Sequence, residues 1–310
     1  MAKENMYIFG PVPSRRLGLS LGVDIVPFKL CSLDCVYCQL GKTTEKTIER
    51  CDYVPLDDVL NELKERLANG IKPDFITISG SGEPTLNSQL GELIDEIKKI
   101  TDIPVAILTN GTLLYRPDVR SDCAKADVVL PSLDAGDEPA FRKINRPHKD
   151  ITFDKLLSGL IAFRKEYKGR IWLEVFLIEK FNTTTEQLAK IKDAIKLIGP
   201  DKVQLNTAVR PTAEPKVRKL NAQQLQDIAL QLGDNCEVIA DFDAVHSHKL
   251  HNSRAEDVLS MLKRRPCSLN DICSGLGLHK NEALKYLTYF QQQKTIVSER
   301  KDGVLFYKAN

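Results

Sequence analysis

Three cysteines stand within eight positions of each other, in the stretch KLCSLDCVYCQLGKTT. Cys31, Cys35 and Cys38 form a C-x3-C-x2-C array, although the chain of 310 residues holds only eight cysteines. Buried structural thiols rarely cluster in this way, so metal ligation is favoured. A zinc site normally needs a fourth ligand, often His, and the first histidine is His148. Three thiolates can instead hold three irons of a [4Fe–4S] cluster, which leaves the fourth iron open to a small chelating molecule.

The elements that would position these thiols alternate between apolar strands and amphipathic helices up to about residue 240. The strand candidates are apolar at nearly every position, which is typical of a parallel sheet covered by helices on both faces. Six strand-then-helix units predict an α/β fold, a partial (βα)6 barrel of the TIM type. The predicted strands are 18–26, 74–80, 103–109, 127–133, 170–178 and 202–209, and the delimited helices are 56–70, 86–100, 183–199 and 221–233.

Polar or glycine-containing motifs follow several of these strands, at the end where a parallel barrel forms its active site. ISGSGEPTL closes the second strand, LTNGTLL the third, PSLDA the fourth and LNTAVRP the sixth. Gly80 and Gly82 let the backbone approach a ligand without a Cβ in the way. Glu83 can accept a charge-assisted hydrogen bond from an ammonium group.

The cysteine array, with the aromatic Tyr37 before its last thiol, and the strand-end motifs together resemble the radical S-adenosylmethionine (SAM) superfamily. The resemblance covers residues 1–240. It implies that SAM chelates the open iron of a [4Fe–4S] cluster and that one electron splits it reductively into methionine and a 5′-deoxyadenosyl radical. That radical would abstract hydrogen from a substrate. A one-electron reductant such as a flavodoxin or ferredoxin is implied as a partner.

The same resemblance implies roles for individual residues. Cys31, Cys35 and Cys38 are the implied metal ligands. The family's Gly-Gly-Glu-type motif meets the SAM amino group, and here Ser81 replaces one of its glycines. The fourth strand end would contact the ribose or the methionine carboxylate, and the sixth would hold the adenine. The implied cofactor-binding residues are Tyr37, Gly80, Ser81, Gly82, Glu83, Asn110, Ser132, Asp134 and Asn206.

Among the branches of the superfamily, the N-terminal stretch FGPVPSRRLGLSLGVD and the cysteine stretch most resemble small proteins classed with tRNA wyosine-synthesis enzymes. The wyosine enzymes carry extra N-terminal cysteines for a second cluster, and no cysteine precedes Cys31 here. This difference concerns wyosine chemistry and leaves the SAM-cleaving core untouched.

Several charged side chains are candidate contacts for SAM or substrate. Glu174 lies within an apolar strand, so it must face the barrel interior or a partner, and we expect it to contact SAM or substrate. Arginines before the first strand could bind an anionic group or be solvated. A loop predicted over residues 141–150 could contact substrate or be an ordinary basic turn. The candidate substrate contacts are Arg15, Arg16 and Arg146, and Arg142 and His148 lie on the same predicted loop.

The remaining metal-type residues give weaker signals. Five cysteines are scattered without C-x2-C spacing, which favours ordinary thiols over a second cluster. An H-x-H-x2-H array could bind a metal, but no predicted element fixes its geometry. These residues are Cys51, Cys123, Cys236, Cys267 and Cys273, and His246, His248 and His251.

The periodicity changes after the barrel. Residues 241–253 are polar and aperiodic, which predicts a linker. Residues 254–310 read as helix, helix-turn-helix and β-hairpin, an order that predicts a winged helix. Ten Lys or Arg against six Asp or Glu make this part basic. It could bind nucleic acid or dock a protein, with His279, Lys280, Asn281 and Lys285 on the second helix of the motif.

Composition narrows the class of protein. The net charge of +2 gives no reason to expect that the protein as a whole binds nucleic acid or an acidic membrane surface. No apolar run reaches the roughly 18 residues of a membrane helix, so we expect a cytoplasmic protein. The favoured hypothesis is a radical SAM enzyme with tRNA or another macromolecule as substrate. One alternative is an activating enzyme that places a radical on a partner protein, and another is an iron–sulfur regulator that binds DNA.

Overall fold

The computed structural model describes residues 7–14, 16–240, 255–278 and 280–310. Some predictions therefore fall outside the described residues and are not tested. These are the role of Arg15, the linker 241–253 with His246, His248 and His251, and the roles of His279 and of the side chains of Asn281 and Lys285.

The described strands form three sheets. They are β1 (Ile8–Ser14), β2 (Gly18–Val23), β3 (Leu30–Cys31), β4 (Glu45–Lys46), β5 (Phe75–Ile78), β6 (Val105–Leu108), β7 (Val128–Leu130), β8 (Arg170–Leu177), β9 (Lys202–Thr207), β10 (Cys236–Val238), β11 (Cys267–Ser268), β12 (Ile296–Lys301) and β13 (Val304–Ala309).

The largest sheet has the strand order β1-β2-β5-β6-β7-β8-β9-β10. From β2 onward, each strand runs parallel to the next strand in this order. The six predicted strands are confirmed as β2 and β5 to β9. Two edge strands were not predicted. β1 contains Pro11 and Pro13 and pairs antiparallel with β2, and proline is tolerated at a sheet edge. β10 has three residues, too few for a periodic signal.

Helices connect these strands in the manner of a (βα) barrel. Four predicted helices are confirmed with slightly shorter bounds, as α1, α2, α6 and α7. The residues before α2 form a separate 3₁₀ turn, Pro84–Leu86. The described helices are α1 (Leu56–Ala68), α2 (Leu90–Ile100), α3 (Pro117–Cys123), α4 (Glu138–Ile144), α5 (Phe153–Glu166), α6 (Thr185–Ile198), α7 (Ala222–Leu232), α8 (Ala255–Arg264), α9 (Leu269–Leu276) and α10 (Lys280–Gln292).

The loop predicted over residues 141–150 is wrong in its first part, because α4 extends to Ile144. Asp137 caps this helix by accepting a hydrogen bond from the Ala140 amide. Arg142 lies within α4 and pairs with Glu138 one turn earlier at 2.5 Å. Arg142, which sequence reasoning placed on a loop that could contact substrate, is therefore part of an exposed helical ion pair.

The core explains why the predicted strands were apolar throughout. Apolar side chains of the central strands β5 to β9 are almost fully buried, between α1 to α7 and the barrel interior. β8 breaks the pattern at Glu174, which is half-buried rather than exposed. The sheet thus fixes the strand ends, and the polar motifs after them converge at one edge.

Residues 255–310, called the C-terminal segment below, have a hydrophobic cluster of their own. β11, β13 and β12 form its three-stranded antiparallel sheet. The predicted hairpin is confirmed, with positive φ at Asp302 and Gly303 in its turn. Ion pairs join this segment to the rest of the chain, so it is docked on the barrel. These are Arg66–Asp257, Arg264–Asp24, Arg210–Asp271 and Lys219–Asp302.

Candidate active site

The three cysteines of the array lie on one loop after β2. The short strand β3 ends at Cys31 and pairs with β4, which holds both sides of the loop. Cys35 and Cys38 follow in a turn, where the Cys38 amide donates to the Cys35 carbonyl at 3.1 Å. Cys31 and Cys38 both lie near Cys35, and a charge on either of them would raise the pKa of Cys35. Among the described residues, no three His, Cys, Asp or Glu form a group that could hold a single metal ion.

Each of the three sulfur atoms accepts a hydrogen bond from a nitrogen. Cys31 Sγ accepts from the Leu33 amide at 3.4 Å and from Asn110 Nδ2 at 3.5 Å. Cys35 Sγ accepts from Asn145 Nδ2 at 3.4 Å, and Cys38 Sγ accepts from Lys29 Nζ at 3.4 Å. Hydrogen bonds to cysteine sulfur are one of the means by which proteins tune iron–sulfur centres. The loop is therefore built to stabilise negative charge on all three sulfurs.

Without a bound cation, the Cys31 and Cys35 thiols would be neutral. Burial, with Glu83 as the next cause, raises the pKa of Cys31 to about 12. Burial and the charge of Asp134 raise the pKa of Cys35 well above its ordinary value. A coordinated cation reverses this effect, because a thiol bound to metal is deprotonated outright. Bare thiolates at Cys31 and Cys35 are therefore costly, and the site is suited to a positively charged metal centre.

The loop after β5 packs directly against the segment that leads into Cys31. The Lys29 amide donates to the Ser81 carbonyl at 2.7 Å, and the Glu83 amide donates to the Leu30 carbonyl at 3.0 Å. A Cβ on Gly82 would stand 2.0 Å from the Leu30 carbonyl oxygen. Gly82 thus permits a backbone contact that no other residue allows at this distance.

Ser81 uses its side chain inside the protein. Its hydroxyl donates to Asp24 Oδ2 at 2.6 Å, and its amide donates to the same oxygen at 3.1 Å. Gly80 next to it has φ +150°, and a Cβ there would meet the Asp24 carboxylate at 2.4 Å. Asp24 was not predicted as a site residue, and its position directly after β2 is the signal that could have found it.

Glu83 ties the second strand end to the third. Its carboxylate is buried and accepts from Thr85, from the Thr109 hydroxyl at 2.6 Å and from the Asn110 amide at 2.7 Å. Burial raises the pKa of Glu83 above its ordinary value despite these donors. The Asn110 side chain also donates to Ser32 Oγ at 2.9 Å, so Glu83 and the cysteine loop share one partner.

Tyr37 and Asp134 lie beside Cys35. The Tyr37 hydroxyl donates to Asp134 Oδ2, and its ring stacks on Phe176 with centroids 4.0 Å apart. Burial raises the pKa of Asp134 to about 6. Asn145 donates to the same carboxylate at 2.8 Å and thereby connects Asp134 to Cys35. Sequence reasoning missed Asn145, because it lies 110 residues from that cysteine.

A polar network crosses the barrel interior at Glu174. Arg16 Nη1 donates to Glu174 Oε2 at 2.6 Å, and Asn206 Nδ2 donates to Oε1 at 2.8 Å. Ser132 pairs with Glu174 through a backbone bridge at the end of β7. The expectation that Glu174 faces the interior or a partner is confirmed by this network. Whether it contacts SAM or substrate stays a prediction.

Arg146 lies at the edge of the site with positive φ. Its guanidinium pairs with Glu214 at 2.8 Å and approaches Asp34 of the cysteine loop at 4.0 Å. The amide of His148 donates to the Ser32 carbonyl at 2.8 Å. Both residues thus hold the cysteine loop from outside. Among the described residues, the other cysteines form no disulfide bond. They are Cys51, Cys123, Cys236, Cys267 and Cys273.

Comparison with known proteins identifies this arrangement. The model of the radical SAM superfamily matches residues 25–191, which include the cysteine loop and β5 to β8. The chain belongs to the radical SAM superfamily. The predicted superfamily and the prediction of an enzyme are confirmed. Radical SAM enzymes use a [4Fe–4S] cluster and SAM and need a reductant.

Relatives and solved structures agree with this assignment. A UPF0026 protein of Methanocaldococcus jannaschii is 35% identical over 309 residues, which cover 97% of this chain and 95% of that protein. A Brachyspira hyodysenteriae protein named GTPase Obg is 42% identical over 98% of this chain, but the chain spans only 45% of its length. The structure of TYW1 with a lysine–pyruvate adduct bound has a TM-score of 0.55 and 21% identity, over 72% of this chain and 75% of that one.

The fold of the radical SAM enzymes is thereby confirmed for the parallel sheet. None of the helices within residues 7–14, 16–240, 255–278 and 280–310 has the length and apolar character needed to cross a membrane.

Proposed function

We propose that in this radical SAM enzyme Cys31, Cys35 and Cys38 would hold a [4Fe–4S] cluster used for the reductive cleavage of SAM. When bound, the cluster and SAM supply the 5′-deoxyadenosyl radical that abstracts hydrogen from the substrate. The observation that carries the proposal is the nitrogen donor at every one of the three sulfurs. A set of buried structural thiols needs no such donors, whereas metal-bound thiolates are stabilised by them.

The strand ends offer the groups that a SAM molecule requires. Among the described residues, only the Asn110 amide donates a hydrogen bond to Glu83 Oε2. This oxygen can therefore accept a further hydrogen bond from a donor such as an ammonium group. Asn145 Oδ1 is buried and accepts no hydrogen bond from the described residues. Gly82 keeps the backbone close to the cysteine loop, and the stacked rings of Tyr37 and Phe176 exclude water near Cys35. The residues present therefore fit the two cofactors.

For the substrate, we propose tRNA bound through the C-terminal segment. The order α8, β11, α9, α10, β12, β13 supports a winged helix, with residues 1–240 as the barrel and 254–310 as the second domain. The tip of the β12–β13 hairpin already contacts the segment after β9, because Lys301 Nζ donates to the Ala208 and Arg210 carbonyls at 2.7 Å each. Tyr289 on α10 is exposed and suited to stacking on an unpaired base. RNA contact through α10 is therefore favoured over contact through the hairpin.

A cysteine substitution tests the cofactor proposal. Cys35→Ala removes the central thiol of the array, so the reconstituted, reduced variant should lose cluster absorbance and release at least about a hundredfold less 5′-deoxyadenosine from SAM. Cys51→Ala is the matched control, because Cys51 is exposed and is not part of the C-x3-C-x2-C array in the sequence. It should behave as the wild type. Wild-type levels of cluster and SAM cleavage in Cys35→Ala would contradict the ligand assignment.

The substrate proposal has a separate test. The protein purified anaerobically should carry RNA that is released by nuclease, and deuterium from labelled tRNA should appear in 5′-deoxyadenosine. A stable complex with one protein and no RNA would favour the activating enzyme. Sequence-specific binding to duplex DNA without SAM turnover would favour the regulator.

A further inference from the structure

One arginine of the C-terminal segment reaches the loop that follows β5. Arg264, the last residue of α8, donates from Nη1 to Asp24 Oδ2, and the same nitrogen lies 3.4 Å from Ser81 Oγ. Its guanidinium also stacks on the Phe9 ring of β1, 4.0 Å from the centroid. The Arg264 and Asp24 side chains are only 11% and 8% exposed. This is a largely buried ion pair between the C-terminal segment and the barrel.

Contacts lead from this ion pair to the first cysteine without a break. Asp24 accepts from the amide and the hydroxyl of Ser81. The Ser81 carbonyl accepts from the Lys29 amide, and the Glu83 amide donates to the Leu30 carbonyl. Leu30 directly precedes the first cysteine of the array. The position of the Ser81–Glu83 loop thus depends on both Asp24 and the cysteine loop.

A second attachment holds the same segment at the far side of the sheet. Arg210, which follows β9, pairs with Asp271 of α9 in a buried contact at 3.3 Å. Lys301 in the hairpin binds the carbonyls of Ala208 and Arg210. The C-terminal segment therefore touches the strand ends at β2 and at β9, on the two sides of the open sheet. Its position is fixed relative to both.

We propose that Arg264 is a positioning residue for SAM: through Asp24 it holds the Ser81–Glu83 loop in the conformation that receives the cofactor. The C-terminal segment is then part of the SAM site and not only a module for recruiting substrate. The role in SAM binding rests on the proposed function, whereas the ordering of the loop by Arg264 does not.

The physical reason is the charge of Asp24. Asp24 is buried, and its Oδ1 has no hydrogen-bond partner among the described residues. Arg264 is the cation that compensates this carboxylate, and removal of one member of a buried pair leaves an uncompensated charge. Asp24 would then turn toward water, which weakens its two bonds to Ser81 and frees the loop.

The test compares Arg264→Met with the wild type in two independent measurements. In the metal-free protein, hydrogen exchange of the peptide over residues 79–86 should become at least about tenfold faster, because the Ser81 and Glu83 amides lose order. In the reconstituted enzyme, the KM for SAM should rise about tenfold while kcat changes less than about threefold. Arg264→Lys keeps the charge with a less suited geometry and should give intermediate values.

Lys219→Met is the matched control, because it breaks the Lys219–Asp302 pair of the same segment away from the Ser81–Glu83 loop. Both measurements should stay at wild-type values in this variant. Unchanged exchange and an unchanged KM in folded Arg264→Met would overturn the proposal. If Arg264→Met does not fold, Arg264→Lys is used in its place. Hydrogen exchange at the wild-type rate over residues 79–86 in Arg264→Lys would then overturn the proposal. If hydrogen exchange is altered in Arg264→Met but the wild-type protein does not cleave SAM, the proposed function is contradicted, whereas the ordering of the loop by Arg264 is not.

Discussion

At the scale of single residues, the sulfur atoms of the cysteine array depend on side chains far away in sequence. Cys31, Cys35 and Cys38 were predicted as ligands from their spacing and from the resemblance to the radical SAM superfamily, and the structure places them on one loop. Their nitrogen donors Lys29 and Asn145 were not predicted, because a lone lysine or asparagine has no pattern in the sequence. Only the folded chain shows which polar side chains meet a thiol.

The donor at Cys35 gives a prediction for the reduction potential. Asn145→Ala removes the N–H that stabilises charge on the sulfur, so the reduced cluster should be disfavoured. A net hydrogen bond of about 0.5–1.5 kcal/mol corresponds to a midpoint potential about 20–60 mV more negative for one electron. Redox titration followed by electron paramagnetic resonance would measure it. Asn69→Ala, on the exposed end of α1, should leave the potential unchanged, and an equal potential in both variants would contradict the role of Asn145.

At the scale of elements, the strands that build the site were predictable, whereas the edge strands of the sheet were not. β2 and β5 to β9 are apolar throughout because helices cover one face and the barrel interior the other. β1, β10 and α4 were missed. Proline hides the period of β1, shortness hides that of β10, and a polar surface hides that of α4. The strand-end motifs were found as chemistry, but the contacts of Glu83 with Thr109 and Asn110 needed the fold.

The attachment of α9 to the segment after β9 gives a prediction for stability. Arg210 and Asp271 are 2% and 8% exposed, so Arg210→Met leaves a buried carboxylate without its ion-pair partner. We expect a loss of about 3–5 kcal/mol in the free energy of unfolding, measured by urea denaturation of the metal-free protein. Lys219→Met breaks an exposed pair of the same interface and should cost less than about 1 kcal/mol. Equal losses in the two variants would contradict this account.

The pH dependence of this attachment follows from Asp271. Burial raises its pKa, but Arg210, the Ser268 amide and Arg265 together bring it below the ordinary value. A lowered folded pKa means that the pair stabilises the protein fully above about pH 4, the unfolded value. The contribution is lost as the pH falls through the lower folded value.

At the scale of the whole molecule, sequence reasoning divided the chain into a barrel and an appended winged helix. The described structure shows a C-terminal segment with its own core and buried ion pairs to the strand ends. The sequence could not show this docking, because Asp24 and Arg264 are 240 residues apart and each looks like an ordinary surface charge. The consequence is functional, since the segment reaches the loop that is proposed to bind SAM.

The most direct test is the metal content of the wild-type protein isolated without oxygen. The account predicts about four irons and four sulfides per chain, and an electron paramagnetic resonance spectrum of the reduced protein that shifts when SAM is added. A single zinc ion per chain with no iron, and no spectral response to SAM, would contradict it.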